Sequence, residues 1–442
     1  MACNASKTPL LRHLTKRGFA SAAPAQSQVA RKSGELKTTT LPSKLVVASC
    51  ESNSPVSRIS IVFRAGSRNE TPETLGASHL LRIAAGLSTK NATGFAITRN
   101  LQEVGGNLSC TTDREVVAYN VEVTRDKLET GLKFLEAAVT GQVFKPWELG
   151  DNAYRVKEDI KRVTDCVKAI ELVHEASFAG GLGNSIFCPK HNAGKLSSET
   201  LQHYFSSTCT ANRCAVVGVG IDHQILVGYA QSLGLDTGAG PEGTTTYVGP
   251  SEIRWDKGGR SASVAVATQG AGWKDQKDAL AHAVLQYAAG VGPYTKRGAD
   301  NGALTKQIGD GATAKTLNAC YSDTGLFGFV VSGEAKAVGK AVEAGVKALK
   351  SGSVSDDDVK RGKESLKAAV AYALETEAGL VDVLGQQAAI VGSVQGLDAT
   401  CSAIDSISAS DVKSVARKLA GQKVSVGAVG NLANVPRVNQ LN

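Results

Sequence analysis

The sequence predicts an α+β protein made of two duplicated halves, each a mostly antiparallel or mixed sheet covered by helices. Three observations carry this expectation. A β-rich run followed by a histidine-bearing helix occurs twice, as Arg58–Gly66 then His79–Gly86, and as Ala262–Thr268 then His282–Gly290. Each half also closes in the same way: Ser198–Leu201 opens a short helix leading to the strand Ala215–Gly220, and Ser410–Val412 opens one leading to Val424–Gly430. Between the two copies, residues 234–259 (GLDTGAGPEGTTTYVGPSEIRWDKGG) are rich in Gly, Thr and Pro and lack helical periodicity, which reads as a linker. The boundaries are therefore 35–233 for the first half, 234–259 for the linker and 260–442 for the second half.

Within the halves, apolar residues alternate along Glu115–Val123 and Gly325–Val331, as on a half-buried strand. Each run leads into a helical pattern, Lys127–Val139 and Ala335–Leu349 respectively. Ser355 followed by Asp356, Asp357 and Asp358 has the form of a capping box, opening a long helix to about Glu375. Ser198 and Ser410 are the expected N-caps of the two closing helices.

Composition excludes several classes. Of 442 residues, 42% are hydrophobic and 20% charged, the balance of a folded globular chain. Aromatic residues make up only 5%, which argues against a nucleic-acid stacking surface. No apolar run approaches the length of a transmembrane helix, so attachment to a membrane would go through other subunits. The nine cysteines are odd in number, widely spaced and without any C-x-x-C, which fits free, mostly buried thiols in a reducing compartment.

The first 34 residues contain no Asp or Glu but carry Lys7, Arg12, Lys16, Arg17, Arg31 and Lys32 among many Ser and Ala, the composition of a mitochondrial transit peptide. Arg17, Phe19 and Ala20 form a matrix-processing pattern, with cleavage after Phe19. That cut removes Lys7, Arg12, Lys16 and Arg17 and halves the formal net charge of +8.

The motif with most to say about chemistry is His79-Leu80-Leu81-Arg82-Ile83. Set against H-x-x-E-H, it keeps the first histidine, has Arg82 where the general-base glutamate belongs, and has Ile83 where the second zinc ligand belongs. An isoleucine offers a metal no lone pair, and an arginine is neither a base near neutral pH nor tolerant of Zn²⁺ beside it. Among the seven histidines no two lie three to five residues apart, so no local helical metal pair exists. Gly238-Ala-Gly240-Pro-Glu-Gly243 matches G-x-G-x-x-G only as a string, because Pro241 interrupts it and no helix follows. There is no Gly-Lys-Ser/Thr loop, no G-x-S-x-G elbow and no C-x-x-C-H. No catalytic residue, resident metal or cofactor is expected on this chain.

The duplicated halves, the altered histidine motif and the basic leader together resemble the insulinase-like, mitochondrial-processing-peptidase family (M16). The stretches that carry the resemblance are Ser54–Glu70, Ser78–Lys90, Ile97–Ser109, Val284–Gly298 and Asn318–Phe329. They point to the core-subunit branch that sits in the cytochrome bc1 complex (complex III), with the non-catalytic α-chain of the processing peptidase as the alternative. The resemblance implies a metallopeptidase-like (LuxS/MPP-like) fold without catalysis, in a peripheral subunit on the matrix side of the mitochondrial inner membrane. It implies partnership with core protein 1, cytochrome b, cytochrome c1 and the Rieske protein, with haem and the iron–sulfur cluster held by those partners. It further implies a crevice between paired core subunits able to hold a presequence-like peptide. Active relatives carry a third, acidic metal ligand well downstream of the motif, a position that falls near Glu158-Asp159-Ile160 with the register left open.

Overall fold

The structure is a computed structural model that describes residues 34–292, 302, 304–308 and 311–442. The transit-peptide positions Arg17, Phe19 and Ala20, and part of the Val284–Gly298 stretch, lie outside the described residues. In the first half the elements run β1 (Leu36–Thr40), β2 (Val46–Cys50), β3 (Val56–Phe63), α1 (Ala77–Ala84), α2 (Gly94–Glu103), β4 (Asn107–Thr112) and β5 (Val117–Thr124). They continue as α3 (Leu128–Thr140), α4 (Pro146–Arg162), α5 (Asp165–Ser177), β6 (Phe178–Ala179), α6 (Ser198–Thr208), β7 (Cys214–Val219) and α7 (His223–Ser232). The second half runs β8 (Thr246–Tyr247), β9 (Glu252–Asp256), β10 (Ser261–Gly270), α8 (Gln276–Ala289), β11 (Ala312–Cys320) and β12 (Gly325–Glu334). It ends with α9 (Ala335–Ser351), α10 (Asp356–Glu375), α11 (Glu377–Ile390), α12 (Leu397–Ser406), α13 (Ala409–Ala420), β13 (Ser425–Gly430) and α14 (Val438–Leu441).

The six-stranded sheet has the order β1-β2-β7-β3-β5-β4 and the five-stranded sheet the order β11-β12-β10-β13-β9. Both are mixed in the same way. β2 runs parallel to β7 and β9 parallel to β13, and every other pair in the two sheets is antiparallel. Matched from β2 onward, the two sheets coincide strand for strand, as a duplication requires. Among the described residues, β1 is the strand of the first sheet that has no counterpart in the second.

Each sheet has one face covered by helices of its own half. Ile59, Ile61, Val121 and Val216 meet Phe134, Leu135 and Val139 of α3, and Val264, Val331 and Val426 meet Val338 and Val342 of α9. The opposite faces are covered by an exchange. Val381, Leu384 and Ala388 of α11 pack on Val62, Ala118 and Val217 of the first sheet, while Ala169 and Val173 of α5 pack on Ala265, Ala267 and Val429 of the second. Gly427 permits the close approach of α5, because a Cβ there would run into the backbone of Ala169 and Val173. Polar contacts fasten the seam: Arg68 bonds Glu115 of its own half and Asp323 of the other, Glu115 accepts from Ser322 N–H and Oγ–H, and His174 Nε2 lies 2.8 Å from Tyr321 Oη.

Three sequence expectations need correction. The segment 234–259 is not wholly linker, since Glu252–Asp256 forms β9 of the second sheet. Its alternation of Ile253 and Trp255 with Glu252, Arg254 and Asp256 is a strand pattern that flanking Gly and Thr obscured. The N-caps of α6 and α13 are Ser197 and Ser408 rather than Ser198 and Ser410, because these side chains accept the N–H three residues on, from Thr200 and Asp411. Of the eight cysteines described, all are free, but only four are buried. The long helix does open at Ser355, whose Oγ accepts from Asp358 N–H.

Two substitutions test the exchange. Leu384→Ala should cost about 3 kcal/mol, from a fully buried side chain packed between α11 and the first sheet. Gly427→Val should cost about 2 kcal/mol or more by pushing α5 off its sheet. Urea unfolding of each variant, followed by circular dichroism, measures both, and each should lower the midpoint of both halves together if they unfold as one unit.

Candidate functional site: the His79 helix

Helix α1 begins at Gly76, whose φ of 93° suits glycine and seats it against Cys188. Glycine has no side chain to cap the helix, and Glu70 supplies that function from upstream. Its carboxylate accepts Gly76 N–H at 2.8 Å, Ser78 N–H at 2.8 Å and Ser78 Oγ–H at 2.6 Å. Burial raises the Glu70 pKa to about 7, against these three hydrogen bonds that pull it down.

His79 is fully buried on the inner face of α1. Its Nδ1 accepts the backbone N–H of Cys188 at 3.1 Å, so in the neutral ring the proton sits on Nε2. That Nε2 has no hydrogen-bond partner and lies 3.5 Å from Asp159 Oδ2. One helical turn on, Arg82 donates from Nη2 to the same Oδ2 at 2.7 Å. Burial and the Arg82 charge push the His79 pKa down, which keeps the ring neutral. Partial burial would raise the Asp159 pKa, but the Arg82 hydrogen bond and charge prevail and hold it below the usual carboxylate range.

Of the sequence-predicted residues, the structure brings His79 and Arg82 to one carboxylate and sends Ile83 elsewhere. Ile83 packs with Leu80, Leu149, Val156 and Leu201 in the apolar cluster between α1, α4 and α6. Of the acidic residues near the expected third-ligand position, Asp159 is the one that faces His79 and Arg82, while Glu158 turns away to Lys161 at 2.6 Å. Helical phase could have found this, since Leu149 and Val156 mark the inner face of α4 and Asp159 lies one turn beyond Val156. Glu70 and Cys188 were missed, and nothing in local sequence marks either.

Chemically, the cluster is poor at the work an H-x-x-E-H helix does. The His79 nitrogen that faces the carboxylate carries a proton where a metal needs a lone pair. Arg82 neutralises Asp159, the carboxylate that faces His79, and its cation would repel a second one. No group of three metal-ligating side chains occurs among the described residues. In the second half, His282 occupies the corresponding place on α8, with Nδ1 donating to Asp278 O at 2.8 Å and the ring edge-on to Phe327.

Comparison with known proteins places this geometry. Residues 45–190 match the family model for insulinase (peptidase family M16), and residues 195–366 match that for the peptidase M16 inactive domain. The chain belongs to the M16 peptidase family. It is 36% identical over 92% of both chains to mouse "Cytochrome b-c1 complex subunit 2, mitochondrial" and 35% identical over the same shares to the human protein of that name. It is 27% identical to an Arabidopsis "Probable mitochondrial-processing peptidase subunit alpha-1, mitochondrial", over 91% of this chain and 83% of that one.

Two measurements follow from the packing. Ile83→His should cost about 2–4 kcal/mol in chemical denaturation, because it places a polar ring among side chains that offer no partner. For Glu70, a folded pKa raised from 4.5 to about 7 means the contribution to stability is full below 4.5 and is lost as pH rises through 7. The difference in unfolding free energy between the wild type and Glu70→Gln should therefore shift between pH 5 and pH 8 by about 2 kcal/mol, with the wild type losing ground at the higher pH.

Proposed function

We propose that the chain is a non-catalytic core subunit of the mitochondrial cytochrome bc1 complex, needed for the assembly and stability of the machinery that passes electrons from ubiquinol to cytochrome c. The observation that carries this is the gap in similarity: 36% identity to the bc1 subunit against 27% to the processing-peptidase α-chain, over nearly the same length. Association with that complex and a mitochondrial location follow from the same similarity. Among the described residues no helix is long and apolar enough to cross a membrane, which suits a peripheral subunit on the matrix side.

In this reading His79, Arg82 and Ile83 are the remains of an H-x-x-E-H site, with Asp159 at the place of its third ligand. The residues present do not fit zinc. One histidine with its proton on the wrong nitrogen, an arginine and an isoleucine leave a single carboxylate, and that carboxylate is already paired. The chain would hold no cofactor of its own, haem and the iron–sulfur cluster being carried by cytochrome b, cytochrome c1 and the Rieske protein. Core protein 1 would pair with it, leaving a crevice for a presequence-like peptide, and import would remove the basic leader with Phe19 and Ala20 flanking the cut.

Full-length tagged chain purified from mitochondria in mild detergent provides the test. Stoichiometric haem absorbance in the eluate, without zinc and without presequence cleavage, is the expected result. A soluble heterodimer that cleaves presequences would overturn the proposal.

A further inference from the structure

The two sheets match strand for strand except at one edge. In the first, β1 pairs antiparallel with β2 from Leu36↔Cys50 to Thr40↔Val46 and closes that side. In the second, β9 holds the place of β2, and among the described residues no strand lies beyond it. The backbone of β9 is set for a neighbour. A strand in a parallel ladder turns the N–H and C=O of alternate residues toward its partner. Val426 N–H donates to Ser251 O and Lys257 N–H to Gly430 O, which puts the odd-numbered residues toward β13. The main-chain groups of Glu252, Arg254 and Asp256 therefore face outward.

The side chains at this edge carry a charge preference. Ile253 and Trp255 lie on the α5 face, opposite Gly427 and Val429. Trp255 is 39% exposed, and three ammonium groups converge on its ring: Lys257 at 4.5 Å, Lys190 at 4.9 Å and Lys168 at 5.9 Å. Asp165 is the carboxylate paired with them, shared between Lys257 at 2.7 Å and Lys168 at 3.6 Å. Crowding of this kind is costly: burial, then the Lys257 charge, lowers the Lys168 pKa. A further anion would relieve it. The basic leader, with no Asp or Glu before Glu35, has the wrong charge to supply one, and so does the Lys37-bearing β1 of a second copy.

We propose that the outer edge of β9 is a docking site for an extended segment of another subunit, which adds a strand through the backbone of Glu252, Arg254 and Asp256 and brings an acidic side chain to the three lysines around Trp255. The partner takes the position that β1 takes in the first sheet. Backbone pairing supplies most of the affinity, and the lysines select an acidic segment over a basic one. The occupant also removes a liability, since an unpaired edge invites association with the wrong chain.

The proposal rests on the reading above that the chain works inside a multi-subunit complex. Residue-resolved hydrogen–deuterium exchange on the full-length chain, alone and in the purified complex, tests it. Alone, the amides of residues 252, 254 and 256 should exchange fast while those of 253 and 255 are protected. In the complex all five should be slow, the outward three by at least about tenfold. Lys190→Glu should raise exchange of those three about fivefold within the complex, with Lys190→Arg leaving them protected. Fast exchange at 252, 254 and 256 in an intact haem-containing complex overturns this proposal while the assembly reading stands. Failure to co-purify with haem overturns both. Vesicles containing anionic phospholipid provide a further arm: if they bind the isolated chain through Lys190 while the three amides stay fast in the complex, the lysines serve a lipid surface and the strand is excluded.

Discussion

Each sheet has one face that its own half cannot cover. Burial of that face in both sheets depends on a helix handed across from the other half, α11 onto the first and α5 onto the second. A fully buried aliphatic side chain contributes about 1.5–3 kcal/mol relative to exposure, and α11 brings Val381 and Leu384 together with two alanines. Removing either helix would therefore take away several kcal/mol, comparable with the about 5–15 kcal/mol that an entire domain possesses. Neither half is expected to be stable without the other, and the duplicated chain is better regarded as one interlocked body than as two beads. The seam ion pairs follow from this arrangement rather than create it. Arg114 and Glu171, both of the first half, sit 2.8 Å apart with little exposure and tie α5 back to the β4–β5 turn; desolvation offsets most of their attraction, so their value lies in fixing one orientation.

The His79 helix likewise keeps its shape through packing and hydrogen bonds alone. The helix is held by Glu70 at its N-terminus, by Leu80, Leu81 and Ile83 in the core, and by Cys188 N–H on the imidazole. None of these contacts needs a metal. Ile83 packs in the apolar cluster, and Arg82 makes the Asp159 carboxylate half of an ion pair. At about one-third exposure for each partner that pair is worth little in stability, below about 1 kcal/mol. Its effect is electrostatic: it cancels the negative potential a cation would need.

The duplication, the α+β class, the long helix from Ser355 and the altered motif were all legible in the sequence, because they rest on periodicity, capping and residue identity. The helix exchange was not. The unbroken apolar run Val264–Ala267 fits a strand buried on both faces, but nothing local says that one of them meets Ala169 and Val173, some ninety residues earlier in the chain. The same limit applies to the partners of His79. Asp159 was within reach of helical phase, whereas Cys188 contributes a backbone N–H, which any residue could have supplied. β9 failed for a different reason, since five alternating residues among glycines and threonines carry too weak a signal to separate from a linker.

The two histidines bear on what a lone histidine means in such a scaffold. His79 accepts a backbone N–H through Nδ1, and His282 donates through Nδ1 to the carbonyl one turn earlier. The neutral tautomers are opposite, yet both rings are buried and lie edge-on to a phenylalanine, Phe187 or Phe327, with centroids 5.9 and 5.8 Å apart. A metal ligand would be held to one tautomer by its ion, with its free nitrogen aimed at a common point. Here the ring is used for its shape and for one backbone hydrogen bond of either sign, whichever the local chain leaves unsatisfied. Burial in both cases lowers the pKa and keeps the ring uncharged, which suits a core residue. The position thus asks for a small aromatic ring with one polar nitrogen, and the scaffold can retain histidine there for packing alone.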